Sequence, residues 1–191
     1  MKPLFIALLK SATLASVLSA STLMAEEPTN SRQPTNFRVG AGLFSAHIDP
    51  AADYLPKNDD YGVSLFAEMP QSDYLASRFM LYRTRTEDTQ LSGFETQMMI
   101  GIGLSQPGFR AYTGPGWHRE KIKVDRAGNS DHRIFNGWGW HIGVGYQYQA
   151  ITLDLSASLR DNADYYSENK RTGSDKEPNA YVSNLLISYR F

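Results

Sequence analysis

The chain of 191 residues contains no cysteine. That absence removes a disulfide framework and any thiolate metal site. An excess of charge is also missing: 19 Lys and Arg stand against 20 Asp and Glu, a net of −1, so no basic surface for nucleic acid is implied. No stretch supplies the roughly 20 consecutive apolar residues that a membrane-spanning helix needs. Metal-ligand spacings, a Gly-rich phosphate loop opening a helix and a nucleophile–base–acid order are all lacking. Catalytic, cofactor-binding and metal-binding residues are therefore expected to be none. The mean hydropathy of −0.41 resembles that of a water-soluble protein. A membrane β-barrel gives the same average, because only every second strand residue faces lipid.

What the chain does have begins with a targeting segment. Lys2 opens it, Lys10 interrupts an early apolar run, and SATLASVLSASTLMA follows over residues 11–25. This pattern reads as a signal peptide over 1–25, cleaved before Glu26-Glu27, with cleavage after Ser21 as the alternative. Residues 26–36 are polar, with two prolines, and read as a periplasmic linker. Loss of Lys2 and Lys10 leaves the mature chain mildly acidic.

From Phe37 onward the chain alternates with period two, the signature of strands with two different environments. Eight such stretches are expected, at 37–48, 61–69, 74–84, 91–104, 109–120, 134–149, 151–160 and 179–191. The last reads NAYVSNLLISYRF. Tyr181, Leu185, Ile187, Tyr189 and Phe191 fall on one face; Asn184, Ser188 and Arg190 fall on the other. In the sixth stretch Trp138, Trp140, Ile142, Val144 and Tyr146 oppose Gly137, Gly139, His141, Gly143 and Gly145. These glycines follow the strand period and read as spacers in a crowded interior. Pro115 cannot donate to a ladder, so a local bulge or an early end to pairing is expected there.

Connections alternate between short (70–73, 105–108, 149–150) and long (49–60, 121–133, 161–178), with 85–90 the shortest of the long set. Both termini fall on the side of the short turns. Aromatics collect at both strand ends, Phe37, Tyr74, Phe109, Tyr148, Tyr189 and Phe191 at one, Tyr61, Trp117, Trp138, Trp140 and Tyr181 at the other. Short periplasmic turns, longer extracellular loops and two aromatic girdles define outer-membrane barrels. Period two does not by itself say which face is inside; a soluble lipocalin-like barrel would turn the apolar face inward. The signal segment, the aromatic rims and the terminal Phe favour the membrane arrangement.

Residues 37–191 thus resemble the small eight-stranded outer-membrane barrels of the OmpA/OmpX and opacity-protein type. The expected fold is all-β, an eight-stranded antiparallel up-and-down transmembrane β-barrel in the bacterial outer membrane, with strand eight closing on strand one. The resemblance implies partners as well. These are outer-membrane lipid and lipopolysaccharide, the barrel-assembly machinery reading Tyr189-Arg190-Phe191, and an extracellular ligand at the loops. The chain is also similar in size and barrel type to the lipid A 3-O-deacylase, which uses a His-x-Ser pair. His118 and His141 have no Ser at that offset. A palmitoyltransferase-like set near the rim, Ser45, His47 and Asp49, matches in composition only.

By parity the interior holds Arg38, Glu68, Arg78, Glu95, Arg110, Asp154, Arg160 and Arg190, together with Tyr82, Gln97, Tyr112, His118 and His141. These charges are expected to pair and to fill the lumen. Loops 121–133 and 161–178, rich in charge, are expected to lack regular structure. The function so implied is a non-enzymatic surface or envelope role carried by the loops. The alternative is a barrel enzyme that modifies lipid A, as a deacylase or an acyltransferase.

Overall fold

The computed structural model describes residues 37–49, 58–85, 89–126, 129–161, 163–171 and 178–191. The expected signal peptide and linker lie outside these residues. Eight strands form, β1 (Arg38–Asp49), β2 (Asn58–Pro70), β3 (Leu75–Arg85), β4 (Thr89–Ile102), β5 (Gly108–Arg126), β6 (Asn129–Tyr148), β7 (Ile151–Arg160) and β8 (Asn179–Arg190). One helix, α1 (Ala163–Arg171), stands between β7 and β8. Each strand pairs antiparallel with its sequence neighbours, and β8 closes on β1 from Arg38↔Arg190 to Asp49↔Asn179. Closure removes the two free edges that an open sheet would expose.

The apolar face points outward. Leu43, Leu65, Ile100, Ile142, Leu155 and Ile187 are all about half exposed or more, a continuous apolar band that water would not tolerate on a soluble protein. Arg, Glu, Gln, Ser and Thr side chains are buried on the opposite face. This arrangement answers the question that periodicity left open, against the lipocalin-like alternative.

At the end carrying both termini, the turns are tight and interlocked. Ser72 Oγ accepts from the Tyr74 and Leu75 N–H groups at 3.1 and 3.0 Å. The Asp73 carbonyl accepts from Leu104 N–H at 3.1 Å, which ties the β2–β3 turn to the β4–β5 turn. Gln149, with φ of +52°, turns the two-residue β6–β7 hairpin. Gly103 adopts φ of +68°, and a Cβ there would stand 2.2 Å from the Phe109 carbonyl oxygen. This left-handed residue reverses the parity of the chain. Leu104, expected on the lipid face with Ile100 and Ile102, is instead fully buried.

Two expectations about the other end fail. Residues 121–133 do not form an irregular loop. β5 and β6 continue as a paired ribbon to Arg126↔Asn129, and β4 accompanies β5 as far as Thr89↔Val124. A strand that has left the hydrocarbon no longer needs an apolar outer face, so its polarity imitates a loop. Within 161–178, residues 163–171 are helical. The Asp161 carboxylate accepts from Ala163 N–H at 3.1 Å at the start of this helix, and Asp164 occupies its first turn, where the helix dipole favours an acid. β6 pairs with β7 only from Gly139↔Arg160 downward, which leaves an edge above. The Asn136 N–H of that edge donates to Asp164 Oδ2 at 2.8 Å, and Asp161 N–H donates to the Trp138 carbonyl at 2.6 Å.

Pro115 neither ends β5 nor bulges it. The β4–β5 ladder is interrupted between Gln97↔Gly116 and Ile100↔Thr113, then resumes in the same register. Pairing to β6 at Pro115↔Trp140 is kept.

Candidate functional site

The lumen is the only place where the described residues gather many buried ionisable groups, and it assembles in layers. Near the turn end, Glu68 of β2 lies between three arginines. Arg38 of β1 donates to Glu68 Oε1 at 2.6 Å, Arg110 of β5 to the same oxygen at 2.8 Å, and Arg78 of β3 to Oε2 at 2.7 Å. Asp154 of β7 pairs with Arg78 and Arg110, each at 3.3 Å. Arg38 also donates to the Leu104 carbonyl at 2.6 Å and to Gln147 Oε1. Arg78 donates to the Tyr112 hydroxyl oxygen at 3.0 Å, and the guanidinium groups of Arg78 and Arg110 lie 5.1 and 5.3 Å from the Tyr112 ring centre. This lower layer holds three cations and two anions.

Toward the loop end a second layer has the opposite balance. Arg160 pairs with Glu120 and, at 3.6 Å, with Glu95. The Tyr82 hydroxyl donates to Glu120 at 3.1 Å and Gln97 donates to Glu95 at 2.9 Å. One cation thus faces two anions. Summed over both layers, four arginines face four carboxylates, all buried. Mutual pairing of this kind is what offsets the desolvation of charge in a water-poor interior.

Apolar side chains close both ends. Ile48, Leu91, Ile122, Phe135 and Val182 form a buried cluster at the loop end. Ala76, Met99, Leu104 and Tyr112 form one at the turn end. The aromatic side chains lie flat on glycines directly across the ladder. Phe66 covers Gly40, Tyr82 covers Gly93, and Tyr112 covers Gly143. A Cβ on Gly143 would stand 2.3 Å from the Tyr112 ring, so the expected spacer role holds here.

Every side chain that parity placed inside is buried except Arg190, which is half-buried at the turn end. Parity did not identify Glu120 as a network member, because it fell at the margin of the expected fifth stretch. The two lumen histidines build no nucleophile. His141 stands beside Ser158 in the β6–β7 register, but the Ser158 hydroxyl donates to Glu95 at 3.4 Å and neither His141 ring nitrogen has a hydrogen-bond partner. His118 and His141 are both buried inside the wall, away from any lipid ester. Ser45 and His47 lie on the outer face of β1, where the His47 ring stacks on Tyr181 at 4.4 Å; the Asp49 side chain lies outside the described residues. No group of three His, Cys, Asp or Glu side chains suited to a metal occurs among the described residues.

Comparison with known proteins agrees with this architecture. Several solved structures share the fold, three of them as follows. Neisserial surface protein A is 17% identical, with a TM-score of 0.59 over 81% of this chain and 97% of its own. The N-terminal β-barrel domain of Pseudomonas aeruginosa OprF is 14% identical, with a TM-score of 0.55 over 83% and 100%. Ail, the attachment invasion locus protein of Yersinia pestis, is 12% identical, with a TM-score of 0.54 over 83% and 99%. No curated protein sequence matches the chain. The family model described as outer membrane protein beta-barrel domain matches residues 11–191, and the chain therefore belongs to that family, as a closed eight-stranded barrel of the bacterial outer membrane.

Proposed function

We propose that this barrel is a non-enzymatic surface protein, whose wall and lumen serve as a rigid support and whose loop end makes the contacts with partners. The observation that carries this reading is the contrast between the two regions. The lumen is filled by compensated charges and capped by apolar clusters. The loop end raises a structured ribbon, β5–β6 beyond Gly116 and Gly139, with α1 docked on its edge. Ordered, polar projections on a rigid scaffold are suited to binding. In barrels of this type short turns face the periplasm, and in this reading the ribbon and α1 stand outside the cell. One relative in fold, Ail, has been solved in complex with the heparin analogue sucrose octasulfate, which supports a binding role for such a scaffold.

Residues 1–25 act as the signal peptide and 26–36 as a periplasmic linker in this reading, and Phe191 is the signal read by the assembly machinery. The lipid A-modifying alternative gains no support from His118, His141 or the β1 rim. The test has two arms. Removing the ribbon tip by joining Lys123 to His132, which face each other across the ladder, through a two-residue turn should preserve heat-dependent gel mobility and abolish surface adhesion or phage adsorption conferred by the intact protein. The lipid A mass spectrum of cells with and without the protein should be identical. A lipid A species that appears only with the protein, and disappears with His141→Ala, would replace this reading by the enzymatic one.

A further inference from the structure

The apolar closure of the lumen at the turn end is one-sided. Its members Ala76, Met99, Leu104 and Tyr112 belong to β3, β4, β5 and the turn between the last two. On the opposite side the lumen is polar. Arg38 of β1, bonded to the Leu104 carbonyl, also reaches Gln147 Oε1 on β6, and β8 and β7 lie between β1 and β6 in the wall. The inward residues of those two strands are Ser188 and Thr152, directly opposite each other. Thr152 stands next to Gln147 and Ser188 next to Gly40 in the register. Opposed side chains start about 4.5–5.5 Å apart, so the two hydroxyls form a pair along the path that Arg38 spans.

Four polar groups of this region have no hydrogen-bond partner among the described residues: Arg38 Nε, Arg110 Nη1 and the hydroxyls of Thr152 and Ser188. All four residues are more than nine-tenths buried. The guanidinium nitrogens can only donate, and each hydroxyl has a proton to donate. Asp154 Oδ1, an acceptor without a hydrogen bond two residues along β7 from Thr152, already faces Arg110 Nε at 3.3 Å. Charge points the same way as the donors. Arg38, Arg78 and Arg110 share Glu68 and Asp154, and Arg190, half-buried and opposite Arg38 in the register, adds a fourth cation at the mouth. The negative surplus of the upper layer is rooted higher. Arg160 starts about 20 Å along β7 from Asp154, at about 3.3 Å per residue, and the carboxylates it meets accept from Arg160, Tyr82 and Gln97. A water molecule would satisfy the free donors and leave the positive surplus as it is. An anion satisfies both, and buried charge persists where it is paired and hydrogen-bonded.

From this juxtaposition we infer that the polar side of the lumen near the turn end is a binding site for a small monovalent inorganic anion of the chloride class. It is held by the Arg38 and Arg110 N–H groups and the Thr152 and Ser188 hydroxyls, with Arg190 at its entrance. An eight-stranded interior has room for little beyond side chains, which favours a single-atom anion over a polyatomic one, and a spherical anion accepts from donors of any direction. Arg38 and Ser188 stand on the two sides of the seam where β1 meets β8, so the bound anion ties the closure of the barrel. The site lies apart from the ribbon and α1, and nothing in it depends on the role of the loop end.

Two measurements on the purified, detergent-solubilised barrel test it, with sodium chloride and sodium bromide as the probes. In the first, the urea midpoint of the heat-shifted band is followed as sodium chloride replaces sodium gluconate at fixed ionic strength. The midpoint of the intact barrel should rise, and that of the variant T152V/S188A, which keeps side-chain shape and loses both hydroxyls, should not. In the second, crystals soaked in sodium bromide should show an anomalous peak within hydrogen-bond reach of Thr152 and Ser188 that is lost in the variant. Should the double variant fail to give the heat-dependent gel shift, Ser188→Ala and Arg190→Gln alone should each reduce the chloride-dependent rise. No rise in the intact barrel, or an equal rise in the variants, overturns the site. A bromide peak without any chloride dependence in solution marks an adventitious ion only and overturns it too. Because neither readout involves a surface phenotype, failure here leaves the loop-end role standing, and failure of the ribbon-tip test leaves this site standing.

Discussion

Three guanidinium groups share the carboxylate of Glu68. Replacing it by alanine leaves Arg38, Arg78 and Arg110 with Asp154 as the remaining carboxylate of their layer, inside a wall that excludes water. Removing one partner of a buried ion pair costs about 3–5 kcal/mol. Glu68→Ala should therefore lower the stability of the folded barrel by at least that amount, read as a fall in the urea concentration at which the heat-shifted band disappears. Glu68→Gln, which keeps shape and one acceptor oxygen, should lie between. An unchanged midpoint for both would show that the network contributes packing only. Most of these residues were legible from parity alone, since a strand residue with an even offset from Arg38 in β1, or from Glu68 in β2, has only one side to go. Partner choice was not legible. It depends on how residues from 10 to 109 positions apart align around the barrel, and that register is not written in any single stretch. Leu104 shows the other limit. One left-handed glycine, Gly103, turns the next residue, Leu104, to the opposite side from the one its parity in β4 implies.

The β5–β6 ribbon and α1 form the element on which the loop end is built. β6 rises above the end of β7 and would present an unpaired edge, a template for pairing with another chain. Asp164 covers one N–H of that edge at Asn136. Asp164→Ala should accelerate amide hydrogen exchange at Asn136 and at the first turn of α1, with no change in the membrane-embedded strands. Protection equal to that of the unaltered protein would mean that α1 does not guard the edge. Sequence polarity concealed both features. Lys121, Lys123, Asp125 and Arg126 on one strand, and Asn129, Ser130, Asp131 and His132 on the other, look like a loop because neither face is uniformly apolar. The signals that remained were Ile122 and Phe135, both buried, and Asp161 two residues before Ala163 at the start of the helix.

At the scale of the whole molecule, closure through β1 and β8 makes folding and insertion one event. The intact barrel should migrate differently before and after boiling on a denaturing gel, and a single position in both states would contradict closure. The filled lumen predicts no steady open-channel conductance in planar bilayers, because eight strands leave room for side chains only; a reproducible unitary conductance would show that the layers open. Phe191 is exposed on the outer face and stacks edge-on against Tyr189 at 5.1 Å, while its N–H donates to the Phe37 carbonyl at 2.9 Å. Phe191→Ser keeps that backbone bond. It should reduce the amount of protein reaching the membrane without lowering the unfolding midpoint of what does. Strand count, direction and closure were readable from the alternation and the spacing of turns, since each strand must bury one face and show the other to lipid along its whole length.

The aromatic rings laid on facing glycines also carry an evolutionary consequence. Tyr112 can occupy its place only while position 143 has no side chain, whereas at Gly40 and Gly93 a Cβ would first meet the backbone carbonyls of Ile187 and Arg119 at 2.3 and 2.6 Å. Positions 112 and 143 should therefore drift as a unit: where a descendant lineage gains a side chain at position 143, the residue at 112 should shrink in compensation, and neither change should be common alone. The interior would then record ancestry at these two positions as one linked exchange, with Gly40 and Gly93 held by the neighbouring backbone, whereas the lipid-facing residues, which must only remain apolar, can vary one at a time.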